Sequence, residues 1–244
     1  MIFLFTDFGW SGPYVGEMKA VLSRDLTNSV TIDLMHDAPV FNPMASSYVL
    51  AALSKRFVAG DFCLGIVDPG VGDDNRRVLC IDADDVRYIG PDNGLFSIVA
   101  ARAKELRCQV IHWRPQNQSV SFHGRDVFAP IVIRLMQGKP LESQEVPIES
   151  LFGADYPEQL NEVVYIDRYG NVITGMSAST YPTDTIFSIK DERVTYAHTF
   201  SSVAPGQLFW YENSMGLIEI AANKASACQL LDCEIGTQVE LILP

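Results

Sequence analysis

Residues 62–72, Phe-Cys-Leu-Gly-Ile-Val-Asp-Pro-Gly-Val-Gly, contain the pattern that decides the fold class. The run from 62 to 67 is apolar, as expected of a buried strand, and the Asp-Pro-Gly sequence at 68–70 ends it in a loop. A similar run at 1–5 ends in Thr-Asp-Phe-Gly at 6–9. We therefore expect two buried strands, each followed by a loop that carries an aspartate.

Outward from this stretch, apolar runs alternate with segments of helical spacing over roughly the first 140 residues. The predicted strands are 1–5, 30–34, 62–67, 78–81, 86–89 and 108–112, and the predicted helices are 14–24, 43–55, 95–106 and 127–136. Asn42 followed by Pro43 predicts a capped helix start, and Asp84-Asp85 predicts a hairpin turn. This alternation predicts an α/β sandwich-like domain with a mainly parallel sheet, which we assign to residues 1–155.

The remaining residues, 156–244, show strand-like runs and turns without a convincing long amphipathic helix. The runs are 163–166, 172–174, 185–189, 193–196, 207–211, 217–221 and 238–243. An acid-rich segment with two prolines, 142–158, is typical of a linker before them. We therefore predict a second domain that is a small all-β barrel or sandwich.

Composition excludes several classes of function. The chain has 18 Lys and Arg against 30 Asp and Glu, a formal charge of −12, which argues against nucleic acid and anionic membrane surfaces as partners. No apolar window is long enough for a membrane span, and the N-terminus does not resemble a signal peptide. The five cysteines form no CxxC pair, which is typical of reduced thiols in a cytoplasmic protein. The four histidines lack metal-ligand spacing, so we expect no metal.

Three loops of the predicted α/β domain carry chemistry-bearing side chains. Asp7, at a strand end, can accept hydrogen bonds from both hydroxyls of a ribose, although a turn or capping role explains it as well. The proline after Asp68 restricts the backbone there, which would help hold the carboxylate in place for a ligand. The alternative is that this is an ordinary charged loop in contact with solvent. His123, in a Phe-His-Gly-Arg-Asp sequence, can move protons near neutral pH, while Asp126 fits a helix N-cap.

Two further loops lie in the predicted β domain. Residues 166–171, Ile-Asp-Arg-Tyr-Gly-Asn, offer an amide suited to a purine edge, an aromatic ring for stacking and a carboxylate for an ammonium group. A simple hairpin turn is the alternative. Residues 212–221 read as a turn that leads into a strand.

The order and combination of these motifs are more specific than any one of them. In chain order they are TDFG (6–9), PYVGEMK (13–19), VDPGVG (67–72) followed by RR (76–77), PDNGL (91–95), FHGRDVFAP (122–130), DRYGNVIT (167–174) and NSMGLIEIA (213–221). This set resembles the S-adenosyl-L-methionine (SAM) hydroxide adenosyltransferase, or SAM hydrolase, family, which is related to the fluorinase and chlorinase. The resemblance covers nearly the whole chain and implies an N-terminal α/β domain followed by a C-terminal β-barrel domain.

The resemblance implies a role for each residue. The family's Asp-Arg-His triad corresponds to Asp68, Arg76 and His123, with Arg77 as the alternative because the preceding loop is longer than the family's common spacing. Asp7 would hold the ribose hydroxyls. Asn171 would bind the adenine, with Tyr169 stacked on the base. Asp167 and Ser214 would bind the methionine end. Glu219 and Tyr14 are further implied ligand contacts.

The implied reaction is SAM plus water giving adenosine and L-methionine, without metal or cofactor. The implied assembly is a homotrimer that binds the ligand between the N-terminal domain of one subunit and the C-terminal domain of its neighbour. A sulfonium is already a good leaving group, so the site needs only an oriented, desolvated nucleophile. An aspartate at 68 would repel a halide, which favours water. The open alternatives are a SAM or adenosine sensor without significant turnover and a halide-using adenosyltransferase.

Overall fold

In the computed structural model, which describes residues 1–73 and 75–242, a β-sheet organises the unit Met1–Tyr156. Its strands are β1 (Ile2–Thr6), β2 (Thr31–Met35), β3 (Phe62–Ile66), β4 (Val78–Ala83), β5 (Val86–Pro91), β6 (Leu106–Ile111) and β7 (Ser143–Glu145). Within the described residues their order is β2-β1-β3-β5-β4-β6-β7. Asp74, in the loop before the arginine pair, and Leu243, the predicted end of the last strand, lie outside the described residues.

The sheet is mixed, so the prediction of a mainly parallel sheet is confirmed only in part. Strands β2, β1, β3 and β5 run parallel to one another, whereas β4, β6 and β7 pair antiparallel. The reversal comes from the predicted hairpin: Asp84 and Asp85 have φ values of 49° and 63°, as a tight two-residue turn requires. On its other edge, strand β4 pairs antiparallel with β6.

Four helices accompany this sheet in the described residues: α1 (Tyr14–Asp25), α2 (Pro43–Leu53), α3 (Ser97–Arg102) and α4 (Ala129–Met136). The predicted cap of α2 is confirmed, because the Asn42 side chain accepts a hydrogen bond from the Ala45 amide at 3.0 Å. Helix α3 is shorter than predicted, because the chain is already in strand β6 at Leu106. Helices α1 and α4 pack on each other and share a core with β1 and β3.

The second unit, which begins at Pro157, is built from antiparallel strands. They are β8 (Leu160–Ile166), β9 (Val172–Ser177), β10 (Ile186–Ile189), β11 (Glu192–Val194), β12 (Leu208–Glu212), β13 (Leu217–Ala222) and β14 (Glu240–Ile242), with a short helix α5 (Ala227–Leu231). Over the part of the chain that the structure describes, they form two sheets, β12-β13-β9-β8 and β11-β10-β14, and no closed barrel is detected.

Both sheets of the second unit contribute to one core. Trp210 lies at its centre, with ring centroids 5.3 Å from Phe187 and 5.0 Å from Tyr196. Its indole nitrogen donates to the Thr185 carbonyl at 2.9 Å, so the buried polar atom is satisfied. As for membranes, none of the helices found in the described residues combines the length and apolar character that a crossing needs.

Close packing between β3 and β5 predicts a stability effect. A Cβ at Gly90 would lie 2.1 Å from the Gly65 carbonyl oxygen and 2.9 Å from the Phe96 ring. We expect Gly90→Ala to lower the free energy of unfolding by about 1–3 kcal/mol, because the sheet and ring must shift to admit the methyl group. Urea denaturation measures this change.

The matched control is Gly16→Ala in α1, where a Cβ meets nothing within 4 Å. Alanine favours the helix, so this variant should be unchanged or more stable by about 0.5–1 kcal/mol. Equal unfolding midpoints for Gly90→Ala and the parent would contradict the packing argument.

Candidate active site

A cavity of about 470 Å³ lies at the carboxyl edge of the first unit's sheet. Strands β1 and β3 are parallel neighbours in which Thr6 pairs with Ile66, so the loops that follow them leave the sheet side by side. The cavity lining includes four of the residues predicted from the sequence, namely Asp7, Tyr14, Asp68 and His123. Residues from four separate chain segments are thus brought together at one edge.

Asp68 has an unusual environment for a carboxylate. Its side chain is only 4% exposed, its Oδ1 accepts a hydrogen bond from the Gly70 amide at 3.2 Å, and Arg76 Nη1 lies 3.8 Å from the same oxygen. Its Oδ2 is buried and has no hydrogen-bond partner among the described residues. A buried carboxylate oxygen without a partner is costly, so it indicates a position where a ligand or water donates.

The two neighbouring arginines have different surroundings. The Arg76 guanidinium lies against Gly70, where a Cβ would come within 1.8 Å of Nη2, so the glycine makes room for its approach to Asp68. Arg77 instead forms an ion pair with Asp92 and donates to the Ser150 carbonyl. Of the two arginines, Arg76 is therefore the one beside the Asp68 carboxylate.

Asp7 is partly buried at the cavity wall, and its Oδ2 accepts a hydrogen bond from the Phe41 amide at 3.2 Å. Burial raises the pKa of Asp7 above its usual value and the charge of Asp68 adds to this, while the Phe41 amide opposes it. Phe41 has a left-handed φ of 57°, which is costly for a bulky residue. The chain thus accepts backbone strain at the residue whose amide points to Asp7.

His123 lines the cavity immediately before a π-helical turn, Gly124–Phe128, that leads into α4. The prediction of Asp126 as an N-cap is wrong, because the turn begins at Gly124 and Asp126 lies inside it. Its carboxylate accepts from the Ser119 amide at 2.8 Å and from the Arg125 fork. These Arg125 hydrogen bonds hold the pKa of Asp126 below its usual value.

Aromatic side chains form one wall of the cavity. Tyr14 and Phe122 have ring centroids 5.2 Å apart, and Phe8 lies 5.9 Å from each of them. Further apolar side chains near the cavity or its adjoining loops are exposed: Trp10, Val40, Phe41, Val71 and Val120. An exposed apolar patch of this kind marks a surface that binds a ligand or another protein.

A second pocket, of about 780 Å³, lies in the second unit. Its lining includes the remaining predicted ligand residues, namely Asp167, Tyr169, Asn171, Ser214 and Glu219. The Asp167 carboxylate organises its own loop, with Oδ1 accepting from the Tyr169 and Asn171 amides at 2.8 and 2.9 Å. Its Oδ2 accepts from the Asn171 side-chain amide at 2.9 Å, which fixes the direction of that side chain. Tyr169 is 79% exposed, so one ring face is open for stacking.

Glu219 is a buried carboxyl on β13 that holds two neighbours. Its Oε1 accepts from the Tyr211 hydroxyl at 2.5 Å and its Oε2 from the Asn213 amide at 3.0 Å. Burial raises the pKa of Glu219, and the nearby charge of Asp167 raises it further. The Asn213 side-chain oxygen in turn accepts from the amides of Met215 and Leu217. Glu219 therefore holds the turn that carries Ser214 through Asn213.

Sequence reasoning missed several residues that support these sites. Asn93 donates to the Val67 carbonyl at 2.7 Å and so holds the root of the Asp68 loop. From the sequence, the Pro-Asp-Asn-Gly motif that contains Asn93 predicts only a turn. Tyr211 and Asn213 were not singled out, although both flank the turn that contains Ser214. The described residues contain no group of three or more His, Cys, Asp or Glu arranged to hold a metal ion.

Comparison with known proteins agrees with the motif pattern. The model for the SAM hydroxide adenosyltransferase N-terminal domain matches residues 2–145, and the model for the C-terminal domain matches residues 161–240. The (R)-S-adenosyl-L-methionine hydrolase of Thermus thermophilus is 33% identical over 99% of this chain and 99% of that protein. The protein of the same name from Salinispora tropica is 31% identical over 97% and 95%.

Solved structures give the same result for the fold. The crystal structure of an uncharacterized conserved protein from Thermotoga maritima has a TM-score of 0.88 and 29% identity over 100% of both chains. That of a conserved hypothetical protein from Thermus thermophilus has a TM-score of 0.80 and 32% identity over 99% of both. The resemblance inferred from the motifs is confirmed, and the chain belongs to the SAM hydroxide adenosyltransferase family.

Proposed function

We propose that this protein is a hydrolase that converts SAM and water to adenosine and L-methionine. The observation that carries the proposal is the unpaired, buried Oδ2 of Asp68 beside Arg76, in one cavity with Asp7 and His123. The names of the relatives, (R)-S-adenosyl-L-methionine hydrolase, support the same substrate and reaction class.

In the proposed reaction, a water oxygen attacks the ribose 5′ carbon while the carbon–sulfur bond breaks. The bonding electrons stay on sulfur, so the sulfonium becomes the neutral thioether of methionine, and the water loses one proton. Asp68, Arg76 and His123 surround this water in our proposal. A carboxylate and an imidazole can orient the water and accept its proton, and a guanidinium favours the developing hydroxide.

The proposed substrate contacts are divided between the two pockets. Asp7 accepts hydrogen bonds from the ribose hydroxyls, and Tyr14, in the aromatic wall of the cavity, contacts the ligand. In the second pocket, the Asn171 amide reads the adenine edge and Tyr169 stacks on the base. Asp167 and Ser214 hold the methionine end, and the charge of Glu219 adds to that of Asp167 there. A ligand with a sulfonium and an ammonium group suits a pocket rich in carboxylates.

No metal or cofactor has a role in this proposal, because a sulfonium leaves without Lewis-acid help. A negative Asp68 also opposes halide as the nucleophile, which argues against the halide-using adenosyltransferase. The cysteine thiols of the protein are all free, which supports the cytoplasm as the proposed location. Adenosine bound without any turnover of SAM would favour the sensor instead.

The proposed assembly is a homotrimer in which the first unit of one subunit and the second unit of its neighbour bind the same SAM molecule. The division of the candidate ligand residues between two pockets supports it, as does the exposed apolar patch near the first cavity. Interfaces between copies are the usual use of such a patch.

The central test is Asp68→Asn, assayed by chromatography for adenosine and methionine with excess chelator present. We expect kcat to fall by about 100-fold or more, because the amide neither takes a proton nor favours hydroxide, while adenosine binding is kept. Both sulfonium epimers are supplied, since the relatives' names specify the (R) form.

The matched control for this test is Asp191→Asn, an exposed aspartate in the β10–β11 turn whose left-handed φ of 66° suits asparagine. It should retain full activity. Wild-type turnover from Asp68→Asn would remove Asp68 from the mechanism.

The arginine pair gives a second prediction. Arg76→Lys should lower kcat by about tenfold or more, since a lysine ammonium does not reproduce the guanidinium fork beside Asp68. Arg77→Lys should lower the thermal unfolding midpoint and keep kcat, because Arg77 holds Asp92 and the Ser150 carbonyl. Steady-state kinetics and thermal melts measure both variants, and the reverse pattern would assign the catalytic role to Arg77.

The interface site gives a third prediction. Asp68→Asn and Asn171→Ala should each be inactive, since each damages a different pocket. When the two variants are co-expressed in equal amounts, about a quarter of the sites combine two intact pockets, so about a quarter of wild-type activity should return. No recovery in a verified mixed trimer would mean that each site is built from one copy, and a monomer on light scattering would exclude the trimer.

A further inference from the structure

A buried chain of hydrogen bonds passes beside Asp7 and has no role in the proposed mechanism. Thr6 Oγ1 lies 2.8 Å from His36 Nδ1, and both residues have no exposed surface. On the other side of the imidazole, His36 Nε2 lies 3.2 Å from Asp33 Oδ1. Lys19 Nζ completes the chain by donating to Asp33 Oδ2 at 2.9 Å.

One donor and one acceptor can be assigned to each hydrogen bond of this series. The Phe8 amide donates to Thr6 Oγ1 at 3.3 Å, so the threonine oxygen accepts there and its own proton is free to bond to His36 Nδ1. The imidazole then carries its proton on Nε2 and donates to Asp33, an assignment inferred from the network. Burial opposes ionisation of Asp33, but its hydrogen bonds to Lys19 and His36 hold its pKa below the usual value.

This chain fixes the backbone on both sides of Asp7. The bond from the Phe8 amide to the Thr6 hydroxyl closes a turn with Asp7 at its centre. The Gly9 amide donates to the His36 carbonyl at 2.6 Å, and the Ala38 amide donates to the Thr6 carbonyl at 3.1 Å. The loop that contains Asp7 is therefore bonded at both ends to the segment that contains His36.

The same segment also supplies the donor that orients the carboxylate. A few residues after His36, the Phe41 amide donates to Asp7 Oδ2 at 3.2 Å. The bond between Thr6 and His36 ties this segment to the end of strand β1, directly before Asp7. Together with the backbone bonds of Gly9 and Ala38, this buried bond therefore holds the segment that places the Phe41 amide beside the carboxylate.

We propose that Thr6 and His36 are positioning residues for the Asp7 carboxylate, and that their hydrogen bond sets the preference for a ribose with both hydroxyls. The inference rests on the proposed function, in which Asp7 accepts the ribose diol. A carboxylate that accepts two neighbouring hydroxyls must be held within a fraction of an ångström, whereas a single hydroxyl tolerates a looser carboxylate.

The experiment compares adenosine with 2′-deoxyadenosine by titration calorimetry, so it requires no turnover. The wild-type protein should bind adenosine about 10–100-fold more tightly, since the lost hydroxyl bonds to a charged group. Thr6→Val is nearly isosteric but removes the hydroxyl, and its preference should fall to about threefold or less. Thr6→Ser keeps the hydroxyl and should restore the wild-type preference.

Thr174→Val is the matched control. Thr174 is also fully buried, accepts from the amide two residues on (Met176) and donates to the Ile218 carbonyl, but it lies in the second unit. This variant should lose stability as Thr6→Val does and keep the preference for adenosine. Should Thr6→Val fail to fold, Asp33, whose side chain is 29% exposed, offers a second variant. Asp33→Ala leaves His36 Nε2 without its acceptor and should also reduce the preference.

The outcomes separate this inference from the proposed function. A full preference for adenosine in folded Thr6→Val, with the preference lost in Asp7→Asn, would overturn the positioning role and leave the hydrolase proposal standing. Conversely, a wild-type protein that prefers adenosine but releases no methionine from SAM would overturn the hydrolase proposal. Loss of the preference in Thr6→Val and its return in Thr6→Ser would then still support the positioning role.

Discussion

The parallel pairing of β1 with β3 is the interaction on which the candidate catalytic cavity depends. Because Thr6 pairs with Ile66, the loops that carry Asp7 and Asp68 leave the same edge of the sheet at the same height. This brings two carboxylates into one cavity, where the charge of Asp68 raises the cost of ionising Asp7. The fold offsets that cost with fixed donors, the Phe41 amide for Asp7 and the Gly70 amide with the Arg76 guanidinium for Asp68.

The two pockets use different means to orient their polar groups. In the first unit, the supports come from distant segments: Asn93 holds the Val67 carbonyl, and His36 bonds to Thr6. In the second unit, they are local, since Asp167 accepts amides from its own loop and the Glu219–Asn213 pair shapes an adjoining turn. The first pocket therefore depends on the whole sheet being formed, whereas the second depends mainly on two hairpins.

The parts of the fold that were predictable from sequence have local causes. Asn42 and Pro43 start a helix through contacts within one turn, and Asp84-Asp85 reverses the chain through its own φ angles. The antiparallel hairpin of β4 and β5 was predicted, but the antiparallel pairing of β4 with β6 was not, because it is decided by packing with a strand about 30 residues away. The barrel expected for residues 156–244 differs from the two sheets found in the described residues for the same reason: a run of alternating residues predicts a strand but not its neighbours.

The same distinction applies to the candidate site. Asp7, Asp68 and His123 stand at the ends of strands or the start of a helical turn, so a sequence motif marks them. His36 and Asn213 were not selected, since their importance comes from the partners Thr6 and Glu219, which the sequence does not place beside them. The roles of Arg76 and Arg77 likewise depended on Gly70 and Asp92, which only the folded chain brings to them.

The left-handed backbone of Phe41 has a consequence for how this chain can evolve. Glycine or asparagine would adopt a φ of 57° with less strain, so selection for stability alone favours replacing the phenylalanine. Yet the amide of residue 41 donates to Asp7, and glycine, which adopts other conformations as readily, would hold that amide less firmly. With Asp7 in its proposed role, stability and ribose binding place opposite demands on position 41, and a lineage adapting to higher temperature would gain stability more safely elsewhere.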